Sequence, residues 1–370
     1  DKDVLEYINS KYVSDTRYLT DIQKILWFCQ RCENRPFHVK NVNRWMERWY
    51  SNNCLVRYEH PIPEGDSGAC QMRDMLIELC KNRKVADVDF FINRRDFPLL
   101  RKGGKEAYEC IFGENTELLS HKYKKMCPIL SMVKHESFHD ICMPTWEDWN
   151  RVSSEEDGKV FPKTCNHYKD DFDMEWKDKK SVAVFRGGST GKDVNNNIRI
   201  KLCQKKSTYI DAGITNFNLR PRINRRGEDT ILTCINKELL GIDKKGFLEP
   251  IEQHKYKYII NVEGHTAAYR LSYEMKMRSV ILMVESEYKL WYSDKLIPFN
   301  YKNSEVAHYI PIKRDLSDID DVITYCIKND DVCERIAGNA REFYDRELTK
   351  ERILDYMKVL LDNVSYKTGI

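Results

Sequence analysis

Apolar positions in the first 85 residues recur at helical spacing. Ile22, Leu26 and Trp27 share one face and Met75, Leu76 and Leu79 another, so residues 1–85 are expected to be mainly helical. Between those faces, His60-Pro61-Ile62-Pro63-Glu64-Gly65-Asp66-Ser67-Gly68 reads as a turn-rich loop. The run Val88-Asp89-Phe90-Phe91-Ile92-Asn93 then carries strand formers, and Pro98 opposes continuation of a ladder. Asp96 therefore falls just past the carboxyl end of a strand. Residues 128–132 are expected to form the next strand, and residues 139–146 close the first half. Residues 151–180 are charged and loop-like, as an interdomain segment would be.

The second half alternates strand and helix. Residues 181–185 predict a strand, followed by the glycine-rich Arg186-Gly187-Gly188-Ser189-Thr190-Gly191 and a helix through Arg199 and Leu202. Strands are expected at 209–211, 256–262 and 279–284, with a helix over 267–277. Such alternation argues for an α/β fold with a parallel sheet. From Ser317 onward three helices follow, with Ser317, Asp330 and Thr349 as N-cap candidates and Val332, Ile336, Ala340 and Phe343 at helical spacing.

Composition changes this picture only by exclusion. Lys plus Arg number 61 against 58 Asp plus Glu, a net charge of +3, which supplies no broad footprint for nucleic acid. No apolar run approaches the ~20 residues of a membrane helix. Thirteen cysteines lack metal spacing; Cys29 and Cys32 come nearest and have no second pair. The odd count suits free thiols in a reducing, cytosolic compartment, and the start at Asp1 suits a processed product or an excised domain. The richness in Lys, Asn, Asp and Ile points to an AT-rich genome, such as that of a large virus or protist.

Candidate chemistry gathers at strand ends. The loop through Gly188, Ser189 and Thr190 offers backbone N–H groups and two hydroxyls to a phosphate, or is an ordinary glycine turn. A Walker phosphate loop fails, because Asp193 follows Lys192 and Arg186 stands where a glycine is required. Arg186, Arg199 and Arg270 lie at strand-to-helix transitions, where guanidinium groups hold a diphosphate, or form surface ion pairs. Glu263-Gly264-His265-Thr266-Ala267-Ala268-Tyr269-Arg270 repeats the strand, small-residue turn and helix pattern. Asp96, flanked by Arg94 and Arg95, is a general base or a capping carboxylate. DxD triplets at Asp87/Asp89, Asp171/Asp173 and Asp318/Asp320 follow no hydrophobic strand and read as solvated acidic stretches, so no metal site is assigned.

The order of these segments resembles the Rumi-like protein O-glucosyltransferases and fungal capsule-associated xylosyltransferases. The resemblance rests on Asn93-Arg94-Arg95-Asp96-Phe97-Pro98, on Phe138-His139-Asp140-Ile141 with Pro144 and Trp146, on Phe185 to Gly191, on Lys255-Tyr256-Lys257-Tyr258 through Arg270, and on His308 to Ser317 with Asn329-Asp330-Asp331. It implies a GT-B architecture of two Rossmann-like domains facing a cleft, with helical N- and C-terminal additions. Residues 1–150 would hold the helical region and the acceptor-side domain, 151–180 the interdomain segment, 181–345 the nucleotide-sugar domain and 346–370 a C-terminal helix. The implied activity is inverting transfer from a UDP-sugar, glucose or xylose first, to a hydroxyl of a protein or glycan, with no cofactor and no required metal. Asp96 would be the base. Arg186, Gly188, Ser189, Thr190, Arg199 and the segment His265, Thr266, Ala267, Ala268, Tyr269 and Arg270 would bind the donor, and His139, Asp140 and Trp146 would face the acceptor or sugar. The alternative is a catalytically silent nucleotide-sugar or glycan-binding protein of the same fold. Secretory members carry a Cys directly before the Lys-Tyr-Lys-Tyr run and another in the following helix, where this chain has His254 and Met277. The stretch 147–175 also departs from the glucosyltransferases, so a folded epidermal-growth-factor repeat is not the expected acceptor.

Overall fold

Two larger sheets, one mixed and one wholly parallel, and a two-stranded antiparallel pair hold the strands of the described residues. In the computed structural model the described residues are 25–30, 48–51, 54–58, 67–86, 88–93, 96–98, 102, 129–157, 172–191, 197–217, 222–223, 231–232, 240–300, 302–303 and 305–368. They fall into two units, residues 1–153 with 350–370 and residues 154–349.

The first unit is built from β1 (Ile25–Gln30), β2 (Arg48–Ser51), β3 (Cys54–Tyr58), α1 (Ser67–Asn82), β4 (Val88–Asn93), β5 (Ile129–Ser131), β6 (Ile141–Cys142) and α2 (Trp146–Asp157). Its six-stranded sheet has the order β2-β3-β1-β4-β5-β6. Strands β1 to β3 pair antiparallel, whereas β4, β5 and β6 run parallel. The helical expectation for Leu26 and Trp27 is corrected here: both lie in β1, which pairs with β3 on one side and β4 on the other. A strand inside a sheet needs apolar residues on both faces, and such a run also satisfies helical spacing. The expected helix face of Met75, Leu76 and Leu79 is buried in α1. The chain's last helix, Lys350–Thr368, belongs to this unit, and its Glu351 and Asp355 take the Arg83 guanidinium.

The second unit carries β7 (Lys180–Gly188), α3 (Ile198–Gln204), β8 (Ile210–Asn216), β9 (Arg222–Ile223), β10 (Ile231–Leu232), α4 (Pro250–Gln253), β11 (Tyr256–Asn261), α5 (Leu271–Lys276), β12 (Val280–Val284), β13 (Ile310–Ile312), α6 (Ile319–Lys328) and α7 (Asp330–Glu347). The parallel sheet has the order β13-β12-β11-β7-β8. Counted along the chain this is 2-1-3-4-5, so connections leave β7 in one direction and β11 in the other. That reversal places a switch point between β7 and β11, where open α/β sheets take ligands at their carboxyl ends. Ala183, Phe185, Tyr258, Ile260, Val280 and Leu282 form the core on one sheet face. Ile336, Ala340 and Phe343 are buried on α7 and Val332 partly so. The N-cap positions shift by one: Asp318 rather than Ser317 precedes α6, and Asn329 rather than Asp330 precedes α7. The Asp330 carboxylate instead accepts from Lys257 Nζ at 2.7 Å and from the Trp176 indole at 3.0 Å. The charged stretch expected to be loop from 151 is helical in α2 to Asp157.

A buried ammonium ties together the amino ends of β7, β11 and β12. Lys179 Nζ donates to His254 O at 2.8 Å, Met277 O at 2.9 Å and Ser279 Oγ at 3.1 Å, which uses all three of its protons. Arg278, at φ 50°, turns the chain between Met277 and Ser279 so that both face the lysine. His254 Nε2 accepts from the Met174 N–H at 3.1 Å, so the ring's proton sits on Nδ1 and goes to Met277 O at 2.7 Å. Burial pulls Lys179 down to about 7, with Arg278 adding to the shift. Burial and then Lys179 hold His254 down to about 4 from 6.5. The unfolded chain thus binds a proton at position 254 that the folded chain refuses. That contribution is complete above pH 6.5 and is lost as the pH falls to about 4. Urea titrations should show acid destabilisation of roughly 3 kcal/mol across that interval that is largely missing in His254→Gln; equal pH slopes for the two proteins would refute the neutral imidazole.

Candidate active site

In the second unit the site is built where β7 and β11 end. Gly187 and Gly188 do not form a loop, as the sequence suggested; they close β7, opposite Ile214 and Asn216, with a register shift between them. A Cβ on Gly187 would lie 3.0 Å from the Phe185 ring and 3.4 Å from Arg199 Nη1, so the strand end is held bare for the guanidinium. The turn begins at Ser189, whose N–H donates to Asn216 O at 2.9 Å. Asn197 then caps α3, accepting from Ile200 N–H at 3.2 Å, and donates to Ser189 O at 3.1 Å. Gly191 packs on that amide, 2.5 Å from where a Cβ would stand.

Arg199, on α3, straps the two strand ends together. Its guanidinium donates to Thr190 Oγ1 at 2.7 Å, Gly188 O at 3.2 Å, Val262 O at 2.9 Å and Glu263 O at 3.0 Å. All four acceptors are carbonyls or a hydroxyl, none a carboxylate. Burial first, and then Arg270, lower its pKa to about 9, which still leaves it charged at neutral pH. Arg270 and Arg199 lie over the same Phe185 ring, at 5.3 and 5.8 Å. Arg270 donates to Arg186 O at 2.5 Å and pairs with Glu274 Oε1 at 2.7 Å. Glu274 is buried, accepts from Asn261 Nδ2 at 2.7 Å, and has its pKa raised by that burial.

Gly264 fits this cluster because a side chain there would meet Thr190 Oγ1 at 2.5 Å and Arg199 Nη2 at 3.0 Å. Residues 267–270, expected to open a helix, lie in the turn before it, since α5 starts at Leu271. Thr266 and Ala268 are buried in that turn, with Gly264 N–H donating to Thr266 O at 2.9 Å, while His265, Ala267 and Tyr269 are half-buried.

Arg186 is placed differently from its sequence-based assignment. Strand alternation puts it on the face opposite Phe185, and its guanidinium binds both carboxylate oxygens of Asp211, at 2.8 and 2.9 Å. Asp211 also accepts from Lys245 Nζ and the Tyr256 hydroxyl, and these partners hold its pKa at about 2 against the cost of burial. The Arg186 carbonyl, in contrast, reaches the Arg199–Arg270 cluster by accepting from Arg270. Sequence reading also passed over Glu263 and Arg314. Glu263 is buried, accepts from Ser286 Oγ at 2.5 Å and pairs with Arg314 Nη2 at 2.5 Å, a bond that raises the arginine's pKa. Their positions directly after β11 and β13 were the available signal.

In the first unit Asp96 is exposed in a bend three residues beyond the last residue of β4. His139 is exposed whereas its neighbour Asp140 is buried and accepts from Ser131 Oγ at 2.5 Å. Trp146 opens α2, whose first turn is capped by Thr145 Oγ1 at 3.0 Å from Asp148 N. Arg94, Arg95, Asp87 and Asp171 lie outside the described residues. Among described acids, Asp318 accepts from the Lys313 N–H and Asp320 from Lys205.

Three curated relatives can be set beside this geometry. The chain is 45% identical to "Uncharacterized protein 035R" of Invertebrate iridescent virus 3, over 86% of this chain and 28% of that protein. It is 40% identical to "Uncharacterized protein 179R" of Invertebrate iridescent virus 6, over 97% of this chain and 33% of the relative. It is 25% identical to Protein O-glucosyltransferase 1 of Homo sapiens, over 76% of this chain and 63% of the relative. The chain thus spans about a third of the length of the viral relatives. The model of Glycosyl transferase family 90 matches residues 69–367, which takes in both strand-end clusters. The chain belongs to Glycosyl transferase family 90.

Proposed function

We propose that this chain is an inverting glycosyltransferase of GT-B type that moves glucose or xylose from a UDP-sugar to a hydroxyl of a protein or glycan. The observation that carries the reading is the pair of guanidinium groups, Arg199 and Arg270, stacked on Phe185 at the β7/β11 switch point, where among the described residues Glu274 bonds Arg270 and no carboxylate bonds Arg199. A diphosphate supplies the anion such a site lacks. The likeness to protein O-glucosyltransferases supports glucose as the first donor sugar to test.

In this mechanism Asp96 takes the proton of the acceptor hydroxyl, and the acceptor oxygen bonds to C1 of the sugar from the face opposite UDP. The bond between C1 and the phosphate oxygen breaks, and UDP leaves with the electron pair. Arg199, Arg270 and Thr190 stabilise the charge that grows on the leaving group. The carboxylates of the cluster are engaged, Glu274 by Arg270 and Asn261 and Glu263 by Arg314 and Ser286, so the reaction is assigned no metal. The odd cysteine count supports a reducing compartment.

The test is UDP release by the full chain from UDP-glucose, UDP-xylose and UDP-galactose, with water as acceptor, in excess chelator and then with manganese. Turnover of one glucose or xylose donor in chelator is the expected result. Tight UDP binding with no release from any donor would favour a silent binding protein, and activity that manganese alone restores would overturn the metal-free assignment.

A further inference from the structure

The first unit buries three hydrogen-bonded polar side chains in a line beside β4, β5 and β6. Asn93 ends β4, Ser131 ends β5, and the two are paired in register; Asp140 stands directly before β6. Asn93 and Ser131 are 0% exposed and Asp140 6%, among Phe90, Ile92, Ile129, Leu130 and Met132, all nearly inaccessible. Three buried polar groups in such surroundings are costly unless each is satisfied by the next.

Donor and acceptor accounting fixes their direction. Ser131 has one proton, and it goes to Asp140 Oδ1 at 2.5 Å. Its lone pair accepts from Asn93 Nδ2 at 3.0 Å, and the same amide nitrogen donates to Phe97 O at 2.6 Å. The Asp140 carboxyl oxygen, as acceptor, therefore orients the hydroxyl, the amide and finally the backbone of the residue after Asp96. The bend itself is on the surface, with Asp96 exposed and Phe97 39% exposed, so this buried line is an anchor for an exposed turn.

We propose that Asn93, Ser131 and Asp140 form a positioning relay that holds the Asp96–Phe97 bend in the geometry its carboxylate needs for proton abstraction. The inference rests on the reading of Asp96 as the base. Asp140, which the sequence suggested as an acceptor-side ligand, becomes a positioning residue that acts through Ser131 and Asn93.

The experiment compares Ser131→Ala, Ser131→Thr, Asp140→Asn and Asp96→Asn in the full chain, using the nucleotide sugar turned over fastest and working well below each variant's Tm. Ser131→Ala breaks the line. Asp140→Asn keeps its shape but lets an amide donate to Ser131 Oγ, reversing the line's direction, and so serves if Ser131→Ala does not fold. Both should lower kcat by about 10- to 100-fold, the scale of a misplaced catalytic group, with KM for the nucleotide sugar unchanged. Ser131→Thr, which retains a hydroxyl, should recover most of the loss; a purely structural role would lower Tm and leave kcat intact. If Asp96→Asn is inactive while folded Ser131→Ala and Asp140→Asn keep kcat within about twofold of the parent, the relay alone is overturned. If Asp96→Asn is itself fully active, the base reading has failed and the relay falls with it.

Discussion

Asp96→Asn lowers sugar transfer by ~10² to 10⁴, the range of general base catalysis, while UDP affinity stays at the parent's value. The substitution keeps the size of the side chain and removes only its capacity to take a proton. Asp96 is exposed in a bend beyond β4, so no buried partner is stranded by the change and the fold should tolerate it. Arg199 and Arg270 belong to the second unit, whose sheet and core do not include position 96. Calorimetry with UDP and single-turnover kinetics with the competent donor therefore separate binding from chemistry. Transfer within about threefold of the parent would remove Asp96 from the mechanism, since a base is worth at least ten times more than that.

Much of this arrangement was legible in the sequence because the signals were local. Asn93 and Pro98 bracket the turn that carries Asp96, and the alternation of strand and helix after residue 180 correctly predicts the parallel sheet. Arg199 and Arg270 meet over one Phe185 ring because each lies in the connection that follows a strand of the parallel sheet, β7 and β11 respectively. For Arg186, offered either to a diphosphate or to an ion pair, the structure shows an ion pair with Asp211, and the signal was present: a strand's period of two puts Phe185 and Gly187 on one face and Arg186 on the other. Its partner Asp211 was not readable, being 25 residues away on a neighbouring strand. The same applies to Glu263 and Arg314, 51 residues apart and joined only when β11 and β13 enter one sheet. Strand β1 failed for a different reason. A continuous apolar run in the middle of a sheet satisfies helical spacing as well as strand burial, and only its pairing with β3 and β4 decides.

Truncation of Arg199 tests the other half of the site. Arg270 is paired with Glu274, whereas the four bonds of Arg199 all go to neutral oxygens, so Arg199 is the cation of the pair that holds no carboxylate by a direct bond. Arg199→Ala should weaken UDP binding by roughly 1.5 to 3 kcal/mol, the worth of a hydrogen bond to a charged group, or about 10- to 150-fold. Arg199→Lys restores the charge without the planar fork that reaches Thr190, Gly188, Val262 and Glu263 together, so it should recover only part of the affinity. Arg270→Ala should also cost affinity, because it removes one cation and leaves the buried Glu274 without its pair. Each titration needs a matching Tm, since losing the strap between the ends of β7 and β11 also loosens the loops. Folded Arg199→Ala and Arg270→Ala proteins that bind UDP as tightly as the parent would place the donor somewhere other than this switch point.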